Sequence, residues 1–367
     1  MRYDYFIVGA GFSGSVLAER LANVLGKKVL LIEKRNHIGG NAYDEYDEHG
    51  ILVHRYGPHI FHTNNKTVVD YLSRFTKWRN YEHKVAAYLA GEYYPVPINM
   101  ITINKLYNMN LRTATEMRQY FDSVRVKRKP ILNSEDAIVN KVGYDLFEKF
   151  FKHYTIKQWN HEPKDLSSSV CGRIPIRTNK DCRYFTDKYQ FMPIDGYTKM
   201  FDKMLANKKI EIVLNTDYKS IVNTIVYNIM IYTGPLDYYF DYQYGKLPYR
   251  SIRFEFENIK TADLLKYAQV NYVDNYKPYN RAVEHKYLSG QNKDTTTISR
   301  EYFSPHGEPY YPVPSLENNK LHKKYSDKMK KLGNVLYCGR LSEYKYYNMD
   351  QVVNNALNIF NKIANGS

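Results

Sequence analysis

The chain has 367 residues, of which 43% are hydrophobic, so it is long enough for two or three domains with buried cores. Strand-sized apolar runs, the absence of a cationic leader and three cysteines without CxxC spacing exclude an integral membrane protein, a disulfide scaffold and a zinc-cluster protein, and predict a cytoplasmic chain. The net charge of +15 and the pI of about 9.3 fit nucleic acid, an anionic membrane surface or phosphorylated small molecules, and charge alone does not choose among them.

The first forty residues carry the pattern of a dinucleotide-binding unit. An apolar strand is predicted over residues 3–8, followed by a glycine turn and a helix. Gly9, Gly11 and Gly14 form a GxGxxG turn, which alone is a weak signal because such turns often only join a strand to a helix. Here a second apolar strand follows, and Glu33 stands where an acid would accept ribose hydroxyls. In this context the glycine turn is a specific signal of dinucleotide binding.

FAD is favoured over NAD by the residues that follow Glu33. A NAD domain would proceed to its next strand and helix, whereas this chain places a second glycine pair, Gly39 and Gly40, directly after the acid. That tight loop resembles the extended FAD sequence of flavoprotein oxidases and related enzymes. The predicted FAD contacts at this end are Gly9, Gly11, Phe12, Ser13, Gly14, Glu33, Lys34, Arg35, Gly40 and Asn41.

Basic and tyrosine-rich segments occupy the middle of the chain. Residues 126–130 and 321–331 carry clustered lysines and arginines at helix-like spacing, and we interpret both as solvated helix faces. The 38 tyrosines often stand in pairs, and clustered tyrosine with arginine suits a polar pocket that stacks a base and holds phosphate.

The carboxy-terminal residues return to the cofactor. A strand over residues 335–338, the pair Gly339 and Arg340, and a final helix with Asp350 near its start match FAD folds of the glutathione-reductase type. The predicted fold class is α/β, with a discontinuous Rossmann-like FAD domain, a helical insertion and an antiparallel sheet domain for the substrate. The predicted boundaries are 1–63, 190–230 and 333–367 for the FAD domain, 64–158 for the helical domain, 159–189 for a mobile substrate loop and connection, and 231–332 for the sheet domain.

Five further blocks connect these ends. They are HRYGPHIFHT (54–63), YTIKQWN (154–160), CGRIPIR (171–177), YTGPLDYYFDYQYGKLPYRSIRFE (232–255) and YNRAVEHK (279–286). Together with the FAD motifs, they resemble the UDP-galactopyranose mutase family over essentially the whole chain. The closing motif departs from the family pattern, because Asn348 stands where an aspartate is often found.

The resemblance implies roles for arginines and tyrosines. Arg281 is expected to be the fixed arginine on the diphosphate and Arg173 its mobile counterpart, with Tyr311 and Tyr346 adding hydroxyl groups. The alternative for Arg281 is an internal salt bridge to Glu284 or another nearby acid. A serine run beside Gly172 gives the loop around Arg173 the low apolar content of a lid.

The resemblance also implies the uridine, flavin and sugar contacts. Uridine contacts are expected from Phe150, Phe151, Tyr154, Trp159, Tyr184 and Asn271, although Tyr184 and Asn271 are alternatively structural. His59 and Ile60 are expected beside the flavin, and His62 beside the sugar. A metal site at the two histidines is rejected because no third ligand stands at suitable spacing.

The implied activity is interconversion of UDP-galactopyranose and UDP-galactofuranose through a reduced-flavin N5-sugar adduct and ring opening. NAD(P)H is the expected transient reductant, a homodimer the expected assembly, and bacterial surface polysaccharide the expected use of the product. The same chemistry on UDP-N-acetylgalactosamine stays open. Less favoured alternatives are an amine-oxidase-like flavoenzyme and an RNA-binding scaffold, because neither explains paired arginines in a tyrosine-rich pocket together with FAD motifs at both ends.

Overall fold

The computed structural model describes residues 2–366 and gives the following elements. The strands are β1 Arg2–Val8, β2 Val29–Ile32, β3 Asp44–Tyr46, β4 Leu52–His54, β5 Phe61–Thr63, β6 Trp78–Asn80, β7 Val85–Leu89, β8 Glu92–Val96, β9 Tyr189–Pro193, β10 Ile210–Val213, β11 Val226–Tyr232, β12 Tyr249–Ile259, β13 Gln269–Tyr272, β14 Arg281–Glu284, β15 Thr296–Ser304, β16 Tyr311–Pro312 and β17 Val335–Tyr337. The helices are α1 Phe12–Asn23, α2 Lys66–Leu72, α3 Met100–Tyr107, α4 Ala114–Val124, α5 Ser134–Phe147, α6 His153–Trp159, α7 Ser168–Gly172, α8 Gly196–Met204, α9 Tyr218–Ile221, α10 Leu236–Tyr239, α11 His285–Ser289, α12 Leu316–Met329 and α13 Met349–Asn365.

A five-stranded parallel sheet, in the order β10-β2-β1-β11-β17, forms the dinucleotide-binding part of the molecule. Alternate side chains of its strands enter two different cores. Ile7 and Leu31 pack with α1, α8 and α13, whereas Phe6 and Leu30 pack with α12 on the other face. Burial on both faces explains why the strands are continuously apolar in sequence. This confirms the predicted Rossmann-like unit.

A seven-stranded sheet forms the substrate-facing part, in the order β16-β12-β15-β14-β13-β7-β8. Its pairs are antiparallel except for β13 with β7, which run parallel. The register places Asn271, Arg281 and Glu301 side by side on three neighbouring strands. Because side chains directly opposite each other lie on one face, these three residues share a face of the sheet.

The structure differs from the predicted domain boundaries in three places. Strands β7 and β8 fall within the segment 64–158 predicted to be helical, yet they extend the large sheet because β7 pairs with β13. Strand β11 continues to Tyr232, two residues past the predicted boundary at residue 230. Helix α12 lies within the segment 231–332 but packs on the parallel sheet. Pairing across long loops decides these features, and local sequence does not encode it.

The two basic segments have different structures. Residues 321–331 belong largely to α12, as predicted, whereas residues 126–130 form an irregular connection between α4 and α5. The prediction of a helix face at 126–130 is therefore wrong, and Pro130 together with the C-cap at Arg125 accounts for the break. No helix among residues 2–366 is both long and apolar enough to cross a membrane.

The parallel sheet should respond strongly to truncation of Phe6, whose side chain has no exposure on central strand β1. We expect Phe6→Ala to lower the free energy of unfolding by about 3–5 kcal/mol, since it leaves a cavity in a core closed on both sides. Leu336→Ala on edge strand β17 is the matched control, because Leu336 is 37% exposed. Equal effects of the two substitutions in urea unfolding would contradict this core assignment.

Candidate functional site

A cavity of about 820 Å³ opens at the carboxyl ends of the parallel strands. It lies where ligands bind in open α/β sheets. Twelve predicted cofactor residues line it: Gly9, Gly11, Phe12, Ser13, Glu33, Lys34, Arg35, Gly40, Asn41, His59, Gly339 and Arg340. The two ends of the chain, separated by more than three hundred residues, therefore meet around one cavity, as the sequence predicted.

Glycines are required where the turns of this cavity approach each other. Gly9 has φ +101°, and a Cβ at this position would lie 2.2 Å from Thr233 Oγ1. A Cβ on Gly40 would lie 2.9 Å from the Cα of Gly11. The second glycine pair thus packs directly on the first glycine turn, which explains why both occur in the sequence.

The polar groups of the cavity suit a dinucleotide. Glu33 is buried, and its carboxylate accepts hydrogen bonds from the backbone N–H groups of Ala10 (2.9 Å) and Arg35 (3.1 Å). Helix α1 begins at the cavity after Gly11, and no side chain of residues 2–366 caps its first turn. Its free N–H groups therefore offer a site for a pyrophosphate. These residues fit FAD.

An acidic residue that the sequence analysis missed closes one side of the cavity. Glu308, in the connection between β15 and β16, forms ion pairs with Lys34 (2.9 Å) and Arg35 (2.6 Å). Arg35 also donates to Asn41 Oδ1 (3.0 Å) and lies over the Tyr56 ring. Lys34 and Arg35 thus line the cavity but also fasten the sheet connection across it. The only signal in the sequence was one acid beside the PYYP segment.

Three predicted cofactor residues lie outside the cavity lining. A Cβ on Gly14 would lie 1.9 Å from Gly9 O, so Gly14 lets the turn and the helix pack closely. Ile60 is a core residue that is 8% exposed. Asp350 accepts from the Thr63 hydroxyl (2.7 Å), which turns its side chain towards β5, and its other oxygen is buried without a partner among residues 2–366. Met349 and Val352 of α13 line the cavity instead. The direct cofactor contacts expected for these three residues stay predictions.

A chain of histidines supports the cavity wall at His59. The His59 N–H donates to His54 Nδ1 (3.1 Å), the His54 N–H donates to His285 Nδ1 (3.1 Å), and His285 Nε2 bonds Ser299 Oγ (2.9 Å). Burial lowers the pKa of His59 to about 3 and that of His54 to about 4. Both rings are therefore neutral at pH 7. They hold the wall in place without adding charge.

Three arginines and two tyrosines meet beside this cavity. The rings of Tyr311 and Tyr346 are stacked with centroids 5.1 Å apart. The Arg173 guanidinium lies 4.2 Å from the Tyr346 centroid, and Arg340 lies 5.2 Å from the Tyr311 centroid. Arg281 lies over Phe303, whose ring stacks on Tyr311. We call the group Arg173, Arg281, Arg340, Tyr311 and Tyr346 the arginine-tyrosine cluster.

Neighbouring charges shift the pKa values of the two cluster tyrosines in opposite directions. Enclosure in the cleft opposes ionisation of Tyr346, but the charges of Arg173 and Arg340 outweigh it and lower the pKa of Tyr346 below its ordinary value. Burial and the neighbouring Tyr346 raise the pKa of Tyr311, against the opposing charges of Arg281 and Arg340. Tyr346 therefore ionises first, and Tyr311 stays a hydrogen-bond donor.

Arg281 is held by a buried ion pair that the sequence analysis missed. Its Nε bonds the carboxylate of Glu301, which has no exposure, whereas the Arg281 side chain is 16% exposed. Burial disfavours the cation, but Glu301 keeps the pKa of Arg281 well above its ordinary value. Among residues 2–366, the terminal nitrogens of Arg281 have no hydrogen-bond acceptor. The internal ion pair considered as the alternative for Arg281 is therefore present, with Glu301 and not Glu284 as the partner. The diphosphate contact of Arg281 stays a prediction.

The sequence gives little indication that Glu301 is the partner of Arg281. In the segment SREYFS, polar and apolar residues do not alternate regularly, so the sequence does not show which face of the strand Glu301 occupies. Only the register reveals that it lies opposite Arg281. Burial raises the pKa of Glu301, while Arg281 opposes that shift. One of its oxygens, Oε1, is buried without a partner within the described chain.

The predicted uridine residues surround the cluster in two groups. Phe150, Phe151 and Trp159 are 3–6% exposed and belong to the core of the helical layer, which also contains residues of α7. Tyr154 and Tyr184 are half-buried and adjoin the cluster, since each contributes to the electrostatics of Arg281 or Arg173. Tyr154 and Tyr184 are thus the aromatic side chains of this set that remain accessible.

Asn271 and His62 have fixed side chains. Gln269 Nε2 donates to Asn271 Oδ1 (2.8 Å), so the amide N–H groups of Asn271 remain for another acceptor. The His62 ring stacks on Phe185 with centroids 3.6 Å apart, and its Nδ1 bonds Asp187 (2.8 Å). Neither residue lines the dinucleotide cavity.

Asn348 has a structural role at the start of α13. Its backbone N–H donates to Gln351 Oε1 (2.9 Å), and the two residues form a capping box. The cap stabilises the helix that carries Met349 and Val352 to the cavity. The departure from aspartate therefore preserves the helix start while removing one negative charge.

Comparisons with known proteins cover both parts of this site. A family model described as UDP-galactopyranose mutase matches residues 149–346, and one described as an NAD(P)-binding Rossmann-like domain matches residues 7–75. The chain is 38% identical over 363 residues to a probable UDP-galactopyranose mutase of Klebsiella pneumoniae, covering 96% of this chain and 93% of the relative. It is 36% identical over 365 residues to a dTDP-fucopyranose mutase of Escherichia coli, covering 96% of each. The crystal structure of a reduced UDP-galactopyranose mutase shares the fold, with a TM-score of 0.79 at 15% identity over 100% of this chain and 95% of that one.

The pKa of Tyr346 can be measured directly. We expect the tyrosinate absorbance that develops below pH 10 in the wild type to fall by the contribution of one tyrosine in Tyr346→Phe, because Arg173 and Arg340 stabilise the phenolate of Tyr346. Tyr311→Phe is the matched control and should keep the early titration. Loss of the early step in Tyr311→Phe, with retention in Tyr346→Phe, would reverse the assignment.

Proposed function

The chain belongs to the UDP-galactopyranose mutase family, and we propose that it interconverts UDP-galactopyranose and UDP-galactofuranose. The observation that carries the proposal is the convergence of Arg173, Arg281 and Arg340 on two stacked tyrosines at the edge of a dinucleotide cavity. A diphosphate needs such an array of donors and positive charge.

The two sugar forms are isomers, so the reaction requires ring opening without net oxidation. The obstacle is the anomeric carbon, which is fixed as a glycosyl phosphate. A reduced flavin, when bound, supplies the nucleophile that displaces the diphosphate. Gly9, Glu33, His59 and Arg340 are among the residues that would hold it, because they line the cavity. We propose NAD(P)H as the transient reductant.

The arginines stabilise the leaving diphosphate. Arg281 is oriented by Glu301 through Nε, which leaves its terminal nitrogens to donate to phosphate oxygens. Arg173 directly follows the short helix α7 and reaches the same place from a different segment of the chain. We propose that Arg281 is the fixed donor and that Arg173 arrives and leaves with its loop. Together they would keep UDP bound while it is detached from the sugar.

The tyrosines and the neighbouring aromatic residues orient the nucleotide. Tyr311 stays protonated and would donate a hydrogen bond to a phosphate oxygen. The hydroxyl of Tyr346 would contact the diphosphate next to Arg173. Tyr154 and Tyr184 would flank the uracil, and the amide of Asn271 would donate to uracil or ribose. Phe150, Phe151 and Trp159 would form the wall behind them. We propose that His62 faces the sugar.

Two other nucleotide sugars are alternative substrates, one with a different base and one with a different sugar. The similarity to a dTDP-fucopyranose mutase, at 36% identity over 96% of each chain, favours a dTDP-sugar as the second candidate. UDP-N-acetylgalactosamine is a third candidate, which differs only at C2 of the sugar. The amine-oxidase alternative lacks support, because the cluster beside the cavity is strongly cationic and polar. A homodimer and a role in surface polysaccharide synthesis complete the proposal.

The test is chromatography of the FAD-loaded protein with each furanose in turn, namely UDP-galactofuranose, its 2-acetamido analogue and dTDP-fucofuranose. We expect conversion of UDP-galactofuranose to the pyranose only after reduction with dithionite, and at the highest kcat/KM of the three. Faster turnover of another sugar would transfer the proposal to that substrate. No conversion of any of them by reduced holoprotein would overturn the mutase proposal.

Removal of the Arg281 guanidinium should impair turnover severely. We expect Arg281→Ala to lower kcat by about 10²–10³-fold, because the developing charge on the diphosphate loses its fixed donor. Arg300→Ala is the matched control, since Arg300 neighbours Glu301 in β15 but bonds the surface residue Glu257 (2.6 Å). Steady-state kinetics in which both variants lose activity equally would indicate that general loss of charge, and not Arg281 itself, limits the rate.

A further inference from the structure

The amino ends of the parallel strands form a second basic surface, which the site described above does not use. Because all five strands run parallel, these ends share the edge opposite the cavity. Strand β1 has seven residues, so the two edges lie about 20 Å apart. We call this surface the basic face, and it comprises Arg2, Lys27, Lys28, Lys208, Lys209, Lys330 and Lys331.

Backbone contacts establish that these cations are neighbours. The Asp4 N–H donates to Lys28 O (2.9 Å), and the Val29 N–H donates to Lys209 O (2.8 Å). Lys28 and Lys209 therefore precede adjacent strands at the same level. At the other end of the edge, the N–H of Met230, the fifth residue of β11, donates to Asn334 O (2.9 Å). The turn after α12 therefore lies beside the middle of β11, at the level where β2 begins.

The positive charge of the basic face is only partly offset by nearby acids. Within residues 2–366, none of its six lysines forms an ion pair with an acidic side chain. Two acids lie near the face. Asp4 accepts from the backbone N–H of Lys28 (2.7 Å), and Asp327, which pairs with Lys323 (2.6 Å), also interacts electrostatically with Lys330 and Lys331. Lys28, Lys208, Lys330 and Lys331 are exposed, so their charges reach solvent directly. Seven cations against two nearby acids leave an excess of positive charge, which suits an anionic partner.

Two aliphatic side chains are exposed within the same face. Val24, which directly follows α1, is 53% exposed. Val226 begins β11 opposite Arg2 and is 59% exposed. Exposed aliphatic groups among lysines combine shallow apolar insertion with attraction to anionic headgroups. This combination favours a lipid surface over an acidic protein.

We propose that the basic face docks the protein on an anionic membrane surface. Lysines from three separate connections, before β2, before β10 and before β17, would contact headgroups together. Docking at this edge would direct the cavity at the opposite edge away from the bilayer. The segment 321–331, interpreted from sequence as a solvated helix face, contributes Lys330 and Lys331 to this contact. The proposal is independent of which sugar the enzyme converts.

The test is co-sedimentation of the holoprotein with vesicles of phosphatidylglycerol and phosphatidylcholine, and with vesicles of phosphatidylcholine alone. The test variant combines Lys28→Glu, Lys208→Glu, Lys330→Glu and Lys331→Glu. The control variant carries the same charge change at Lys127→Glu, Lys260→Glu, Lys277→Glu and Lys293→Glu, which are exposed elsewhere. Two half-variants, Lys28→Glu with Lys208→Glu and Lys330→Glu with Lys331→Glu, keep the test valid if the full variant does not fold.

We expect the wild type to bind only the anionic vesicles, and the test variant to lose at least about 100-fold in partition constant, since each cation at the surface contributes about five-fold. The control should retain binding, because its changed lysines follow α4, β12 and β13 or precede β15, and none lies in the connections that form the basic face. Turnover in solution should be unchanged in both variants. Failure of the wild type to bind anionic vesicles, or an equal loss in the control, would overturn the proposal. Binding to immobilised polyglutamate without binding to vesicles would also overturn it, in favour of an acidic protein partner.

Discussion

The ion pair between Arg281 and Glu301 is the interaction on which the rest of the site depends. Two charges taken out of water are stable only when paired, and one partner left alone would be costly. Here the pair spans adjacent strands β14 and β15, so the backbone itself fixes the guanidinium. The orientation leaves the terminal nitrogens of Arg281 free for a ligand. The sheet thereby becomes a rigid mount for positive charge at the edge of the dinucleotide cavity.

Contacts between the two sheets bring that charge to the cofactor. Arg340 lines the cavity and also lies over Tyr311, so one side chain belongs to both the dinucleotide cavity and the arginine-tyrosine cluster. Glu308 fastens the large sheet to Lys34 and Arg35. The neutral histidines His285, His54 and His59 also link Ser299 of the large sheet to the cavity wall by hydrogen bonds, without adding charge. A cofactor in the cavity and a diphosphate on the cluster would therefore lie in one preorganised site.

The sequence predicted features that depend on local pattern and missed those that depend on pairing. Twelve of the cofactor residues predicted from the GxGxxG turn, the second glycine pair and the closing segment line one cavity. Glu301 and Glu308 were missed because a single acid in a strand or loop carries no periodic signal. The addition of β7 and β8 to the large sheet was missed because β7 pairs with a strand about 180 residues later. The bond from Thr63 to Asp350 was missed because it depends on packing between distant segments.

The central claim, that Arg281 holds the diphosphate, is tested most directly by calorimetric binding of UDP and of uridine to the oxidised holoprotein. The ratio of the two affinities isolates the phosphate contribution. In Arg281→Met with Glu301→Gln, which removes the charged pair as a unit, the account predicts that this ratio falls by about 10–100-fold while uridine affinity is retained. An unchanged ratio would mean that the diphosphate is held elsewhere, and it would contradict the account.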